Sequence, residues 1–179
     1  MANRLIILTA IGPKDRPGIV AALTGAVLEC GGNLDDATMT RLHGAFSTMI
    51  AARVAEDDLP KLRNLLDSAA NRLGLNVSVE AIDEDGETEA RQERPDHIIT
   101  VYGADHPGIV HHVASLLQEH GVNITDLETR LTRDGERPIY VMMVETSGGD
   151  WTALPEALAA LGKRLQVDVS FSDIDEETL

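Results

Sequence analysis

The sequence has little cysteine, few aromatic residues and no long hydrophobic run. Cys30 is the one cysteine among 179 residues, so no disulfide can form within the chain. It ends an apolar helical stripe, where we expect a small buried side chain rather than a reactive thiol. No apolar stretch approaches the ~20 residues of a membrane span. The first residues lead directly into a strand-like segment, without the pattern of a signal peptide. These absences predict a cytoplasmic protein that does not bind a membrane.

Positive charge is also scarce. The chain has 15 Lys and Arg residues against 30 Asp and Glu, which gives a formal net charge of -15. Proteins that bind nucleic acids or anionic membranes neutralise phosphates with lysine and arginine, so the acidic surplus argues against both partners. Trp151, the only tryptophan, is expected to pack in a core rather than to stack on a base. The composition instead suits small molecules or proteins as partners.

A repeated sequence motif is the most informative feature that the chain does have. The six residues DRPGIV at 15–20 recur 90 residues later as DHPGIV at 105–110. A second phrase, GGNL at 31–34, recurs at the same spacing as GVNI at 121–124. A repeat of this length indicates two copies of one domain. A domain this small buries only about 60–65% of its unfolded surface. We therefore expect each copy to pack against the other copy or against a second chain.

Apolar periodicity predicts the same elements in each copy. Asp15 and Asp105 are typical helix N-cap residues, and Pro17 and Pro107 suit a first helical turn. Glycines at the ends of the apolar stripes stop the two helices. The predicted first strands lie at 5–8 and 97–102, hairpin turns at His43-Gly44 and Asp134-Gly135, second helices at 59–73 and 154–165, and last strands at 77–81 and 167–171.

The order β-α-β-β-α-β is that of the ferredoxin-like, split βαβ unit of the α+β class. It predicts one antiparallel sheet per copy with two helices on one face. The opposite face and the sheet edge need cover, which side-by-side pairing of two sheets would supply. The predicted organisation is a first domain at 1–82, an acidic linker at 83–96, a second domain at 97–172 and an acidic tail at 173–179.

The sequence offers little support for catalysis or metal binding. Four histidines cluster around the first helix of the second copy, namely His106, His111, His112 and His120. His111 and His112 are adjacent and point in different directions on a helix, which makes them poor joint ligands. The sequence contains no recognisable arrangement of nucleophile and base, and no glycine-rich phosphate loop. We therefore predict a protein that is not an enzyme and holds no metal and no cofactor.

The doubled phrases within a βαββαβ order resemble the ACT domain, the amino-acid-binding regulatory module of amino-acid metabolism. A chain of two such domains resembles the glycine cleavage system transcriptional repressor family, and the resemblance covers everything but the linker and the tail. It implies a non-enzymatic amino-acid sensor, with a small effector such as glycine, that regulates transcription. It also implies a homo-oligomer, expected to be a dimer, that acts through a DNA-binding activator protein rather than on DNA itself.

The resemblance also implies where the effector binds, at a seam between paired domains. A helix N-terminus suits a carboxylate, glycine admits close approach to the backbone, and asparagine can donate to and accept from a zwitterion. The implied ligand-binding residues are Asp15, Arg16, Pro17, Gly18, Ile19, Asn33 and Leu34 in the first copy. In the second copy they are Asp105, His106, Pro107, Gly108, Ile109, Asn123 and Ile124.

Several alternatives stay open at the level of the sequence. Asp-x-Pro-Gly is also an ordinary helix start, and asparagine after glycine an ordinary turn residue. The copies differ at matched positions that include Arg16 and His106, Gly32 and Val122, and Asp35 and Thr125, so one copy could bind ligand while the other only pairs. The chain could instead be a regulatory subunit that gives feedback control to an enzyme of amino-acid metabolism. It could also be a structural pairing module with vestigial sites.

Overall fold

The computed structural model describes residues 3–82, 94–134 and 137–174. The chain divides into two compact units, Met1–Ala90 and Arg91–Leu179. The division falls within the predicted linker at 83–96, of which residues 83–93 lie outside the described ranges. No helix within those ranges is both long and apolar enough to cross a membrane.

Both units have the element order that the periodicity predicts, and the α+β, ferredoxin-like fold class is confirmed. The first unit consists of β1 (Asn3–Gly12), α1 (Ile19–Glu29), β2 (Asn33–Leu42), β3 (Ala45–Ala55), a 3₁₀ turn (Glu56–Asp58), α2 (Leu59–Leu73) and β4 (Asn76–Ile82). The second consists of β5 (His97–Gly103), α3 (Ile109–Glu119), β6 (Asn123–Asp134), β7 (Arg137–Ser147), α4 (Leu154–Leu165) and β8 (Val167–Asp173).

Each unit contains one four-stranded sheet, ordered β2-β3-β1-β4 in the first and β6-β7-β5-β8 in the second. Every neighbouring pair of strands is antiparallel. Alternate residues of the central strands are fully buried beneath the two helices, as Ile6 and Leu8 show in β1. Leu23, Leu66 and Phe46 complete this first core, while the second unit has a core of its own residues. Side-by-side pairing of the sheets stays a prediction.

The start of the first helix differs from the prediction in both units. The N-cap residues are Gly18 and Gly108, with left-handed φ values of 95° and 93° and no side-chain cap. Glycine enters this conformation without the steric cost of a Cβ, so it makes the sharp turn into the helix. The prediction of Asp15 and Asp105 as caps is therefore wrong. Pro17 and Pro107 also lie before the helix rather than within its first turn.

The glycine-dependent turns agree with the sequence where the structure describes them. His43 and Gly44 have φ values of 49° and 86°, as a two-residue hairpin turn with two left-handed positions requires. Gly31 and Gly121, at 64° and 68°, follow the last residues of the two helices, as predicted. The predicted turn at Asp134-Gly135 reaches residues outside the described ranges.

Candidate ligand-binding site

The loop between β1 and α1 is held against the β2–β3 hairpin. The backbone N–H of Asp15 donates to the carbonyl oxygen of Gly44 over 3.1 Å. The Asp15 carboxylate lies 3.6 Å from the guanidinium of Arg41 on β2. Because both contacts reach the hairpin end, they fix the loop against the last residues of β2. The Asp15 side chain thus faces a strand rather than the helix N–H groups that a cap would engage.

Arg16 extends from the same loop to the end of α2. Its guanidinium donates a hydrogen bond to the carbonyl oxygen of Leu73, the last residue of that helix. Terminal carbonyl groups of a helix lack intrahelical donors and carry partial negative charge, so a cation is favourable there. In this structure Arg16 therefore anchors the loop to α2 and does not project freely toward a ligand.

A shallow surface pocket of about 370 Å³ lies at this loop. Its lining consists of Asp15, Arg16, Pro17, Gly18, Ile19, Val20, Ala21 and Met39. The first intrahelical bond runs from the N–H of Ala22 to the carbonyl oxygen of Gly18. The N–H groups at the start of α1 precede that bond and have no intrahelical acceptor, which suits a carboxylate ligand. The structure thus brings the first five predicted site residues to one pocket.

The corresponding loop of the second unit lies beside more polar side chains. Tyr140 of β7 is half-buried, and burial raises the pKa of its phenol. A hydrogen bond with the side chain of Thr129 lowers that pKa, and the nearby Asp105 carboxylate raises it further. The sheet registers place Thr129 and Tyr140 where the first unit has Met39 and Phe46. The second loop therefore has the Tyr140 hydroxyl near Asp105, whereas Met39 lines the pocket at the first loop.

The predicted asparagines lie elsewhere, at the first residue of β2 and of β6. Asn33 is exposed, and its side-chain amide donates to the carbonyl oxygen of Leu34 over 3.1 Å. It pairs across the sheet with Arg53, which forms a 2.8 Å ion pair with Asp35. In the second unit, Asn123 and Ile124 line a separate open pocket of about 420 Å³ beside the end of α3.

Within one unit, the loop and the asparagine lie at opposite ends of the first helix. The loop precedes Ile19 and the asparagine follows Glu29, and an 11-residue helix is about 16 Å long. Asp15 contacts the far end of β2, through Arg41, and not the end that holds Asn33. The two sets of predicted residues therefore do not share a pocket within either unit.

The exchange of Gly32 for Val122 has a packing explanation. A Cβ on Gly32 would lie 2.7 Å from Val54 Cγ2 and 2.8 Å from Val27 Cγ1, so the site admits no side chain. In the second unit Val122 is buried, and a Cβ built on Gly149 would lie 2.3 Å from Val122 Cγ2. The two units thus differ in how the core is packed at this position, and Val122 also lines the pocket of Asn123 and Ile124.

Sequence reasoning missed four side chains beside the loops, namely Met39, Arg41, Thr129 and Tyr140. They come from the hairpins, 20 residues or more along the chain from the Pro-Gly phrases. Their strand alternation was visible in the sequence, but the register that brings them to the loop was not. The spacing of the motifs along the chain likewise did not reveal that the asparagines lie apart from the loops.

The architecture and the two loops define the class of protein. The ACT domain family matches this chain twice, over residues 4–80 and 96–172, and the chain belongs to that family.

The chain is similar to proteins that match it along its whole length and to others that match one of its units. The chain is 24% identical to the glycine cleavage system transcriptional repressor of Escherichia coli over 98% of its own length and 96% of the repressor. A UPF0237 protein of Methanopyrus kandleri is 42% identical over 40% of this chain and 80% of that protein. The crystal structure of a Galdieria sulphuraria protein has the same fold, with a TM-score of 0.80, 21% identity and coverage of 97% of this chain and 100% of that one.

Proposed function

We propose that this chain is a non-enzymatic regulatory protein that binds a small amino acid. The observation that carries the proposal is the pocket at the start of α1, where five predicted residues and free helix N–H groups converge on a volume of about 370 Å³. The family membership supports it, since ACT domains are small-molecule regulatory modules. Glycine is the effector tested first, because the full-length relative is a repressor of the glycine cleavage system.

The proposed site is composite. The loop residues 15–19 and the pair Asn33 and Leu34 lie at opposite ends of α1, so neither set can enclose a zwitterion from within its own unit. Pairing of two ACT units would place the loop of one beside the asparagine of another, as the family resemblance implies. The loop N–H groups would hold the carboxylate, and the asparagine oxygen would accept from the ammonium group. We propose that the same holds for 105–109 with Asn123 and Ile124.

Isothermal titration of the full chain against glycine and a panel of other amino acids tests the binding proposal. We expect one of them to bind, and Asn33→Ala with Asn123→Ala to weaken that binding about tenfold, because each loses a hydrogen bond to a charged group. Asn71→Ala, at an exposed position of α2, is the matched control and should bind as the unaltered chain does. Absence of heat with every amino acid would overturn the sensing proposal. Equal binding by the Asn33 and Asn123 variants would overturn the composite site.

We further propose that the chain regulates transcription through a protein partner, as a homodimer that does not touch DNA. Its net charge of -15 disfavours phosphate contacts and suits a basic protein surface. Ligand would act by stabilising one arrangement of paired domains over another.

Affinity capture from the native cell, with and without the effector, followed by mass spectrometry, tests the partner. A DNA-binding activator whose capture depends on the effector is the expected result. Capture of an enzyme of amino-acid metabolism would contradict transcriptional regulation and indicate a regulatory subunit. Gel-shift measurements with the chain alone should show no retardation of DNA at physiological salt.

A further inference from the structure

The helix layer of the second unit contains a groove that the proposed effector site does not use. It lies between α3 and α4, has a volume of about 380 Å³, and is separate from the pocket of Asn123. Its lining includes His112, Leu116 and Glu119 from α3 and Ala157, Ala160 and Arg164 from α4.

Small side chains on α4 keep this groove open. Counted back from the helix C-caps Gly74 and Gln166, Ala157 corresponds to Leu65 of the first unit, and Ala160 to Ser68. Leu65 packs against the first core, whereas an alanine methyl at the same place cannot reach across to the neighbouring helix. The groove is therefore a specific feature of the second unit's side chains and not of the shared backbone.

Opposite charges stand at the two ends of the groove. β5 is antiparallel to β7 and β8, and β6 is antiparallel to β7, so α3 and α4 run in opposite directions. Glu119, the last residue of α3, thus lies toward the start of α4, and Arg164 lies toward His112. Neither Glu119 nor Arg164 has an ion-pair partner within residues 3–82, 94–134 and 137–174. Both charges are available to a ligand.

The spacing of these charges selects the length of that ligand. His112 and Glu119 are seven residues apart on one helix, which corresponds to about 10 Å along its axis. In a single amino acid the ammonium and carboxylate groups share one carbon and cannot span this length. An extended chain covers about 3.3–3.6 Å per residue, so three residues do span it.

We propose that the α3–α4 groove binds a short peptide of about three residues with free ends. Its ammonium group pairs with Glu119, and its carboxylate pairs with Arg164 beside His112. Leu116 and the methyl groups of Ala157 and Ala160 contact small apolar side chains between the two charged ends. This ligand class differs from the single amino acid proposed for the loop pockets, so the two proposals stand or fall separately.

Trialanine is the probe, titrated into the uniformly ¹⁵N-labelled full chain while amide chemical shifts are recorded. We expect saturable shifts on α3 and α4. Trialanine with an acetylated amine and an amidated carboxyl end should bind at least threefold more weakly, since exposed charge pairs contribute modestly. Free alanine should leave the amides of α4 unshifted, since only the groove ligand contacts that helix, whereas an amino acid in the proposed effector site would shift α3 alone. Equal binding of the blocked peptide would indicate a purely apolar groove and overturn the proposal, as would shifts confined to other elements or no shifts.

Single substitutions separate the groove from general charge effects. Glu119→Gln and Arg164→Gln should each weaken trialanine binding about threefold. Glu29→Gln and Arg72→Gln change the equivalent positions of the first unit and should leave the affinity unchanged. Ala157→Leu fills the groove with the first unit's side chain and should abolish the shifts while the spectrum stays folded. Unchanged affinity in all three groove variants would overturn the proposal.

Discussion

At the scale of single residues, one glycine per unit explains why the repeated phrase has its form. Gly18 and Gly108 turn the chain into the first helix at φ values near the left-handed region. A Cβ on Gly18 would meet no atom within 4 Å, so the position is restricted by backbone conformation and not by space. Gly25, in the middle of α1, also has open space around it but has ordinary helical geometry.

These two glycines make a matched pair for substitution. Gly18→Ala should lower the free energy of unfolding by about 1–2 kcal/mol, because an L-residue is strained in the left-handed region. Gly25→Ala should raise it by about 0.5–1 kcal/mol, because alanine loses less backbone entropy than glycine in a helix. Urea unfolding followed by far-ultraviolet circular dichroism measures both. A Gly18→Ala protein as stable as the unaltered one would contradict the conformational role of this glycine.

Among the elements, the first and last strands of the second unit are joined by a cluster of side chains that has no counterpart within residues 3–82. Nδ1 of His97 lies 2.6 Å from Asp96 Oδ1, and its Nε2 lies 3.1 Å from Asp173 Oδ1. The imidazole stacks on Trp151, with 3.6 Å between ring centroids and 10° between planes. Asp96 also accepts from the N–H of Gly148 over 2.9 Å. The predicted packing role of Trp151 is thus confirmed, and β5, β8 and the loop before α4 are tied together.

The Asp96 carboxylate should make the stability of the second unit depend on acid pH. Burial acts to raise the pKa of Asp96, but the hydrogen bonds from His97 and Gly148 together hold it below its ordinary value of 3.8. A depressed carboxyl pKa stabilises the fold above the unfolded value, and that contribution is lost as the pH falls through the folded value. Asp96→Asn should therefore be less stable at pH 7, with a difference that shrinks below about pH 4.

Urea unfolding followed by Trp151 fluorescence at pH values from 7 to 3 measures this difference. Asp168→Asn, at an exposed carboxylate of β8, is the control for removing one acidic charge from the second unit. A gap between Asp96→Asn and the unaltered chain that stays constant down to pH 3 would contradict the linkage.

At the scale of the whole molecule, each unit has a hydrophobic core built from its own residues. Leu66 belongs to the first core and Leu158 to the second, and each is 1% exposed. Trp151 packs against the second core, so its fluorescence reports on the unfolding of that unit. The raised pKa of the Cys30 thiol, which follows from burial, agrees with the predicted packing role of that cysteine in the first core.

Truncating a core leucine in either unit should affect the unfolding transition of that unit only. Leu158→Ala should lower the free energy of unfolding seen by Trp151 fluorescence by about 2–5 kcal/mol, through lost burial and the cavity that remains. Leu66→Ala should cost a similar amount by circular dichroism while the fluorescence midpoint in urea stays in place. Equal movement of the fluorescence midpoint by both variants would contradict independent unfolding of the two units.

Local patterns predicted the elements well and the loops less well. The leucine stripe at 59–73 coincides with α2, because helical periodicity needs only neighbouring residues. The N-cap prediction failed in both units because each helix begins at a left-handed glycine, Gly18 or Gly108, three residues after the aspartate. In the first unit Asp15 contacts Gly44 and Arg41 of the hairpin instead, and local patterns do not reveal such contacts.

Two copies, their element order and their fold follow from the amino-acid sequence, because repeats and apolar periods are properties of short stretches of chain. Three features could be seen only once the chain was folded: Arg16 anchors to α2, Met39 and Tyr140 flank the loops, and the asparagines lie a helix length away from them. Those outcomes depend on the register of the sheet and on where each helix crosses it. Both are set by contacts between residues far apart in sequence.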